Sequence, residues 1–201
     1  MRKLFLSLAA LALIASPALA GKFNKKINVG EKAPTFSGIP AVMAEKDCTI
    51  SLEDAKEDVV VLVFLANHCP VVGMYEDRMI DLVNDLKGKS VKVVGVSVNR
   101  NKEDLLPKIK ERVKDKGYNF VYGYDESQKM GKAYGASATP EFFVLDKDRV
   151  IRYTGALDDN RDESKATKTY VKDAVNALLN GETIEVTETR PDGCGIGYSK
   201  N

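Results

Sequence analysis

Tryptophan is absent from the 201 residues, histidine occurs once and cysteine three times. A single His excludes a polyhistidine metal centre, and three Cys are too few to staple a disulfide-built scaffold. Neither sign of charge prevails: 30 Lys and Arg face 29 Asp and Glu, a formal net charge of +1. A nucleic-acid binder needs a clustered basic excess, so that class of partner is set aside. No internal repeat, low-complexity tract or block of like charge occurs. What remains, 44% hydrophobic residues with 15 Gly and 7 Pro, is an ordinary globular composition whose length suits one domain with a tail.

Long apolar runs are also missing, apart from one near the start. Residues 1–20 combine a basic opening (Arg2, Lys3), an apolar stretch from Leu4 to Ala15, Pro17, and small residues at Ala18 and Ala20. This is the pattern of a secretory signal peptide cleaved after Ala20. An uncleaved anchor is the alternative, yet the run falls short of the roughly 20 residues that a span needs. Cleavage removes two basic and no acidic residues, so 28 face 29 and the formal charge becomes −1. The expected product is periplasmic or extracellular, with no stable membrane anchor, in a compartment where thiols can be oxidised.

Downstream, strand and helix signals alternate. Cys48 to Leu52 alternates as a short strand or hairpin, and Val59 to Ala66 is a β-rich apolar run that suits a strand buried on both faces. From Pro70, apolar residues at helical spacing (Val72, Tyr75, Met79, Leu82, Val83, Leu86) run towards a stop at Gly88. Val91 to Val98 is the next strand. Lys102 to Lys116 is a charged helix with Pro107 as a kink, its mixed signs suiting a solvated face. A strand over 120–124, a helix over 126–134, a strand over 141–146 hairpinned to 150–153, and a helix closed by Gly181 follow. The predicted fold class is α/β, a central mixed sheet flanked by helices. The expected organisation is a signal peptide over 1–20, a domain over 27–185, and a Gly-rich tail over 186–201 that carries Cys194.

Cys69 falls between the apolar strand and the helix that Pro70 opens. Backbone N–H groups at a helix start favour an anion, and thiols placed there are more acidic and more nucleophilic than free cysteine. The competing reading is a cysteine of the core. His68 beside it either adds a hydrogen bond and positive charge or is incidental. Cys48, alternating with Ile50 and Leu52, is expected to be structural.

Two segments, Phe64-Leu65-Ala66-Asn67-His68-Cys69-Pro70 and Tyr134-Gly135-Ala136-Ser137-Ala138-Thr139-Pro140-Glu141-Phe142-Phe143-Val144-Leu145-Asp146, together with the elements between them and a late Gly-Cys, resemble the thioredoxin-like superfamily. More narrowly, the chain resembles its peroxiredoxin-like redoxin (AhpC/TSA-type) branch, over nearly all of residues 27–198. The resemblance implies a thioredoxin-like fold, with Cys69 as the first, solvent-exposed cysteine and Pro140 as the cis-proline facing it. A trans Pro140 in an ordinary turn is the alternative. Thr139 and Pro140, with His68, are then the expected substrate-binding residues.

Two departures narrow the chemistry. Position 72 is Val72, so the second cysteine of a Cys-x-x-Cys motif is missing. Ala66 and Leu62 stand where peroxiredoxins carry a hydroxyl residue and a proline, so peroxide reduction is expected to be weak. Cys194, between Gly193 and Gly195, is the expected resolving partner of Cys69; a static disulfide and a free tail thiol are the other possibilities. The reading is an exported thiol-disulfide oxidoreductase or weak thiol peroxidase, acting on a disulfide or peroxide and renewed by a thiol reductant or thioredoxin-like donor. A non-catalytic thioredoxin-fold binding module is the alternative. A copper-handling redoxin would need a second Cys where Gly73 stands. No cofactor or metal is implied.

Overall fold

The computed structural model describes residues 21–200, so the expected signal peptide lies outside the described residues. The strands are β1 (Ile39–Met43), β2 (Lys46–Ile50), β3 (Val59–Phe64), β4 (Val91–Ser97), β5 (Val121–Tyr124), β6 (Ala138–Thr139), β7 (Glu141–Leu145), β8 (Ile151–Gly155) and β9 (Cys194–Gly195). The helices are α1 (Pro70–Asp85), α2 (Leu106–Lys116), α3 (Lys129–Tyr134) and α4 (Tyr170–Asn180). Seven strands form one mixed sheet in the order β2-β1-β5-β4-β3-β7-β8, and β6 pairs with β9 apart from it.

β3 lies near the centre of the sheet. It runs parallel to β4, Val59 facing Val91 and Phe64 facing Val96, and antiparallel to β7, Val60 facing Leu145. Side chains alternate between faces, so Val59, Val61 and Val63 pack with Tyr75, Met79, Ile109 and Val175 from the helices of one face. Val60, Leu62 and Phe64 pack with Tyr134 and Phe143 on the other. Both faces are covered, which is why the run is continuously apolar. Each such side chain contributes roughly 1.5–3 kcal/mol on burial. On the second face, Phe64, Tyr134 and Phe143 form an aromatic cluster with centroids 5.2–5.9 Å apart.

Several expected boundaries shift. The helix expected over 102–116 is two pieces: a 3-10 turn at Lys102–Asp104 and then α2 from Leu106. Pro107 falls in the first turn of α2, where a missing N–H leaves no hydrogen bond broken, so it starts the helix and does not kink it. α3 begins at Lys129 because Asp125 caps the preceding turn, accepting from Ser127 N at 3.0 Å and Met130 N at 2.8 Å. Cys48 is also corrected: it is a free, exposed thiol. β2 is the sheet edge, and of its residues only Ile50 is buried.

The last residues run over the domain as a strap. Thr154 bonds Thr187 and Thr189 through the backbone at 3.1 and 3.0 Å, and Glu188 accepts the N–H groups of Lys22, Phe23 and Asn24 at 2.7–2.9 Å. Further on, Ile196 N donates to Ser137 O at 3.0 Å and the Tyr198 hydroxyl donates to Ala136 O at 2.7 Å. Among the described residues no helix is long and apolar enough to cross a membrane.

Candidate active site

The site forms where β3 ends. Leu65 N still bonds Val96 O at 2.9 Å, continuing the ladder, and then Cys69 N turns back to Ala66 O at 3.2 Å. Cys69 is the N-cap residue of α1, with extended backbone (φ −82°, ψ 116°), and Pro70 occupies the first turn. The carboxyl ends of parallel strands are where sites open in α/β sheets, and the helix start directs N–H groups towards this one.

The 3-10 turn at Lys102–Asp104 pins this segment. Asn67 Nδ2 donates to Glu103 O at 2.8 Å, and His68 N donates to Asp104 Oδ1 at 3.3 Å. The His68 ring Nδ1 pairs with Asp104 Oδ2. Asp104 is fully buried, while about a third of the His68 side chain is exposed. The pair therefore fixes one ring nitrogen and leaves the ring at the rim of the site.

The Thr139–Pro140 bond is cis, and the carbonyl oxygen of Thr139 stands 3.1 Å from Cys69 Sγ. Cys69 and Cys194 form a disulfide with Cα atoms 6.0 Å apart. β9 brings Cys194 there by pairing antiparallel with β6: Ala138 faces Gly195 and Thr139 faces Cys194. Of the expected site residues, Cys69, Cys194, Thr139 and Pro140 thus meet at one point, with His68 alongside. One expectation fails. Cys69 is only 1% exposed, because the strap and its disulfide lie over it.

The residues matched by the AhpC/TSA family model are 29–154, which run from the segment before β1 to β8 and take in Cys69, Thr139 and Pro140 but not Cys194. The chain belongs to the AhpC/TSA family. Two relatives, the thiol-disulfide oxidoreductases ResA of Bacillus thuringiensis (strain Al Hakam) and Bacillus anthracis, are each 27% identical over 125 residues, which is 62% of this chain and 68% of theirs. Among solved structures, an uncharacterized conserved protein from Geobacillus kaustophilus matches with a TM-score of 0.80 at 31% identity, over 94% of this chain and 100% of that one. A hypothetical protein from Sinorhizobium meliloti 1021 matches with a TM-score of 0.78 at 29% identity, over 87% of this chain and 97% of that one. A thiol:disulfide interchange protein DsbE from Chlorobium tepidum, at 19% identity and a TM-score of 0.57 over 77% and 97%, shares the fold. The fold is thioredoxin-like.

In this AhpC/TSA chain several supporting residues went unnoticed in the sequence. Glu141, 2% exposed, accepts from Ser137 N at 2.7 Å, Ser137 Oγ at 3.1 Å and Ala138 N at 3.1 Å, and so holds the loop that precedes Pro140. Burial pushes its carboxyl above the usual range, outweighing these hydrogen bonds. Its only signal was a charged residue opening an otherwise apolar strand. Arg78 on α1 donates to Asp158 Oδ2 at 2.5 Å and to the carbonyls of Asn160 and Arg161 at 2.9 and 2.6 Å. It also stacks 3.9 Å from the ring centroid of Tyr75, whose hydroxyl is pushed up to about 12, first by burial and then by Asp158. Arg161 in turn pairs with Asp192 of the strap at 2.5–2.7 Å, linking α1 to the residues just before Cys194. A cleft of about 620 Å³, lined by Met43, Cys48, Val91 and Phe120, lies at the other ends of the parallel strands and does not reach Cys69.

Proposed function

We propose that the protein is an exported thiol-disulfide oxidoreductase in which Cys69 is the nucleophile and Cys194 the resolving cysteine. One observation carries the reading: the Cys69–Cys194 disulfide at the start of α1, opposite cis Pro140. The similarity to thiol-disulfide oxidoreductases supports it. In the reduced protein, the Cys69 thiolate attacks one sulfur of a substrate disulfide. The S–S bond breaks, a mixed disulfide forms and one substrate thiolate leaves. Cys194, as thiolate, then attacks the Cys69 sulfur, expelling the second substrate thiolate and leaving the 69–194 disulfide. A dithiol reductant reopens it by the same exchange.

The α1 N–H groups stabilise the Cys69 thiolate, and the Thr139 carbonyl accepts from the thiol form, so the two effects oppose. In the oxidised protein no α1 N–H bonds the Cys69 side chain, so the helix start acts on this sulfur through its dipole. Peroxide is a second oxidant of the same sulfur: the thiolate takes one oxygen to give a sulfenic acid, hydroxide leaves and takes a proton from solvent, and the Cys194 thiol condenses with loss of water. Ala66 supplies no hydroxyl to activate the peroxide, so this route is slow. Export rests on the residue pattern of 1–20.

The experiment is turnover of a model disulfide and of hydrogen peroxide with a dithiol reductant, for wild type, Cys69→Ser and Cys194→Ser. Loss of turnover in Cys69→Ser, with a trapped mixed disulfide in Cys194→Ser, is expected. Equal activity in wild type and Cys69→Ser overturns the reading and favours a binding module.

A further inference from the structure

The strap residues Gly193 to Tyr198 alternate glycine with larger side chains: Gly-Cys-Gly-Ile-Gly-Tyr. Cys194, Ile196 and Tyr198 pack on the domain, Cys194 against one core and the other two against the second. The segment is bound as an added strand, with backbone bonds to β6 and Ser137 and side-chain bonds from Gln128, which donates to Gly197 O at 2.9 Å and accepts from Ser199 N at 2.8 Å. Such binding is the mode in which a sheet edge takes an extended peptide.

The fit is uneven on the two sides of the cysteine. A Cβ on Gly193 would fall 2.5 Å from the Thr139 carbonyl carbon and 3.0 Å from the Pro140 nitrogen. These are backbone atoms of the loop that Glu141 holds, so they cannot swing aside as a side-chain tip would. A Cβ on Gly195 would meet nothing within 4 Å.

Resting on the assignment of Cys69 as nucleophile, we propose that the groove beside Cys69 also takes extended polypeptides in trans, and that it selects cysteines directly preceded by glycine. The strap is then an internal occupant of the substrate groove, and Gly193 is the residue that lets Cys194 reach Cys69. The residue after the cysteine is unrestricted. The reacting step is thiol-disulfide exchange: the Cys69 thiolate bonds to the peptide cysteine sulfur, and the group previously on that sulfur leaves with its electron pair.

The test uses two isomeric peptides, acetyl-Gly-Cys-Ala-Ile-amide and acetyl-Ala-Cys-Gly-Ile-amide, each carrying thionitrobenzoate on its cysteine, with the same derivative of cysteamine as a reagent that does not span the groove. They are mixed with full-length Cys48→Ser/Cys194→Ser/Tyr198→Ala, which removes the exposed thiol, frees Cys69 and loosens the strap. Release of thionitrobenzoate and the mass of the Cys69 adduct are followed. The Gly-Cys peptide is expected to react about tenfold or more faster than the Ala-Cys peptide. Equal rates overturn the proposal. Absence of reaction with all three, cysteamine included, overturns the nucleophile assignment and the proposal with it. A second arm keeps the strap intact: in a dithiothreitol redox buffer, Gly193→Ala is expected to lower the equilibrium constant for the 69–194 disulfide about tenfold, and Gly195→Ala to leave it unchanged. Equal shifts in the two variants overturn the steric argument.

Discussion

Cys194 faces Thr139 across the two-residue β6–β9 ladder, and the carbonyl oxygen of that same Thr139 stands 3.1 Å from the sulfur to which Cys194 is bonded. The disulfide and the ladder therefore hold the same segment by two means. Reduction removes one of them. The Ile196 amide, which donates to Ser137 O, is expected to exchange with solvent about tenfold or more faster in the reduced protein. The Thr189 amide, bonded to Thr154 O further back, is expected to keep its protection. Hydrogen exchange on both redox states measures it; equal change at the two amides would contradict a strap released from its cysteine end.

Asp104 is buried and satisfies both the amide and the ring of His68. Asp104→Ala leaves those donors without a partner, and a loss of roughly 1–3 kcal/mol in urea unfolding is expected. Asp104→Asn keeps an acceptor and costs less. Because His68 adjoins Cys69, the alanine variant should also slow the reaction of Cys69 with a model disulfide beyond what its stability loss explains.

The raised carboxyl of Glu141 has a definite sign in pH dependence. A carboxyl whose folded pKa exceeds its unfolded value binds its proton more tightly when folded. Its contribution is therefore greatest below the unfolded pKa and falls as pH rises through the folded one. Glu141→Gln keeps an oxygen for Ser137 and Ala138, removes that slope, and is expected to be at least as stable as wild type at pH 7. Glu141→Ala strips the acceptor from the loop and is expected to lose roughly 1–3 kcal/mol. Denaturation across pH 4 to 8 separates the two variants.

Two arginines in one chain of contacts should behave differently. Arg78, with 8% of its side chain exposed, pairs with an Asp158 that is 5% exposed, so Arg78→Ala leaves a buried carboxylate and is expected to cost roughly 3–5 kcal/mol. The Arg161–Asp192 pair is about half exposed on both sides, and Arg161→Ala is expected to cost under about 1 kcal/mol of global stability. Urea midpoints at fixed pH compare them.

Cys48 is the exposed free thiol, and partial desolvation of its sulfur, followed by the Asp47 charge, pushes its pKa above the ordinary value. In the oxidised native protein it is expected to take up one equivalent of iodoacetamide, slowly at neutral pH and faster as pH rises. Mass spectrometry of the digest locates the label. Labelling at Cys69 or Cys194 without reductant would contradict the disulfide.

What the sequence made legible followed from local rules. The apolar run of β3, the helix start at Cys69-Pro70 and the stop at Gly181 each depend on neighbouring residues, and each stands within a few positions of its expected place. The juxtaposition of Cys69 and Pro140 was readable only through resemblance, and that of Cys194 only from the glycines that flank it, since nothing local relates positions so far apart. The supporting charges were hidden for the same reason. Asp104 lies 36 residues from His68, and Asp158 lies 80 from Arg78, and such pairs leave no periodic trace. The burial of Cys69 and the exposure of Cys48 depend on the path of the strap and on the order of strands in the sheet, which alternation along one strand does not encode.

Cys69 and Cys194 are 125 residues apart, so the bond closes a loop that takes in most of the domain. In the chain-entropy picture a ring of that size restricts the unfolded ensemble by roughly 5 kcal/mol. By the thermodynamic cycle connecting folding with reduction, the same quantity must appear as a displacement of the cysteine pair's potential between native and denatured protein, roughly 100 mV. Any substitution elsewhere that weakens only the oxidised fold would make this protein a stronger oxidant without touching either sulfur.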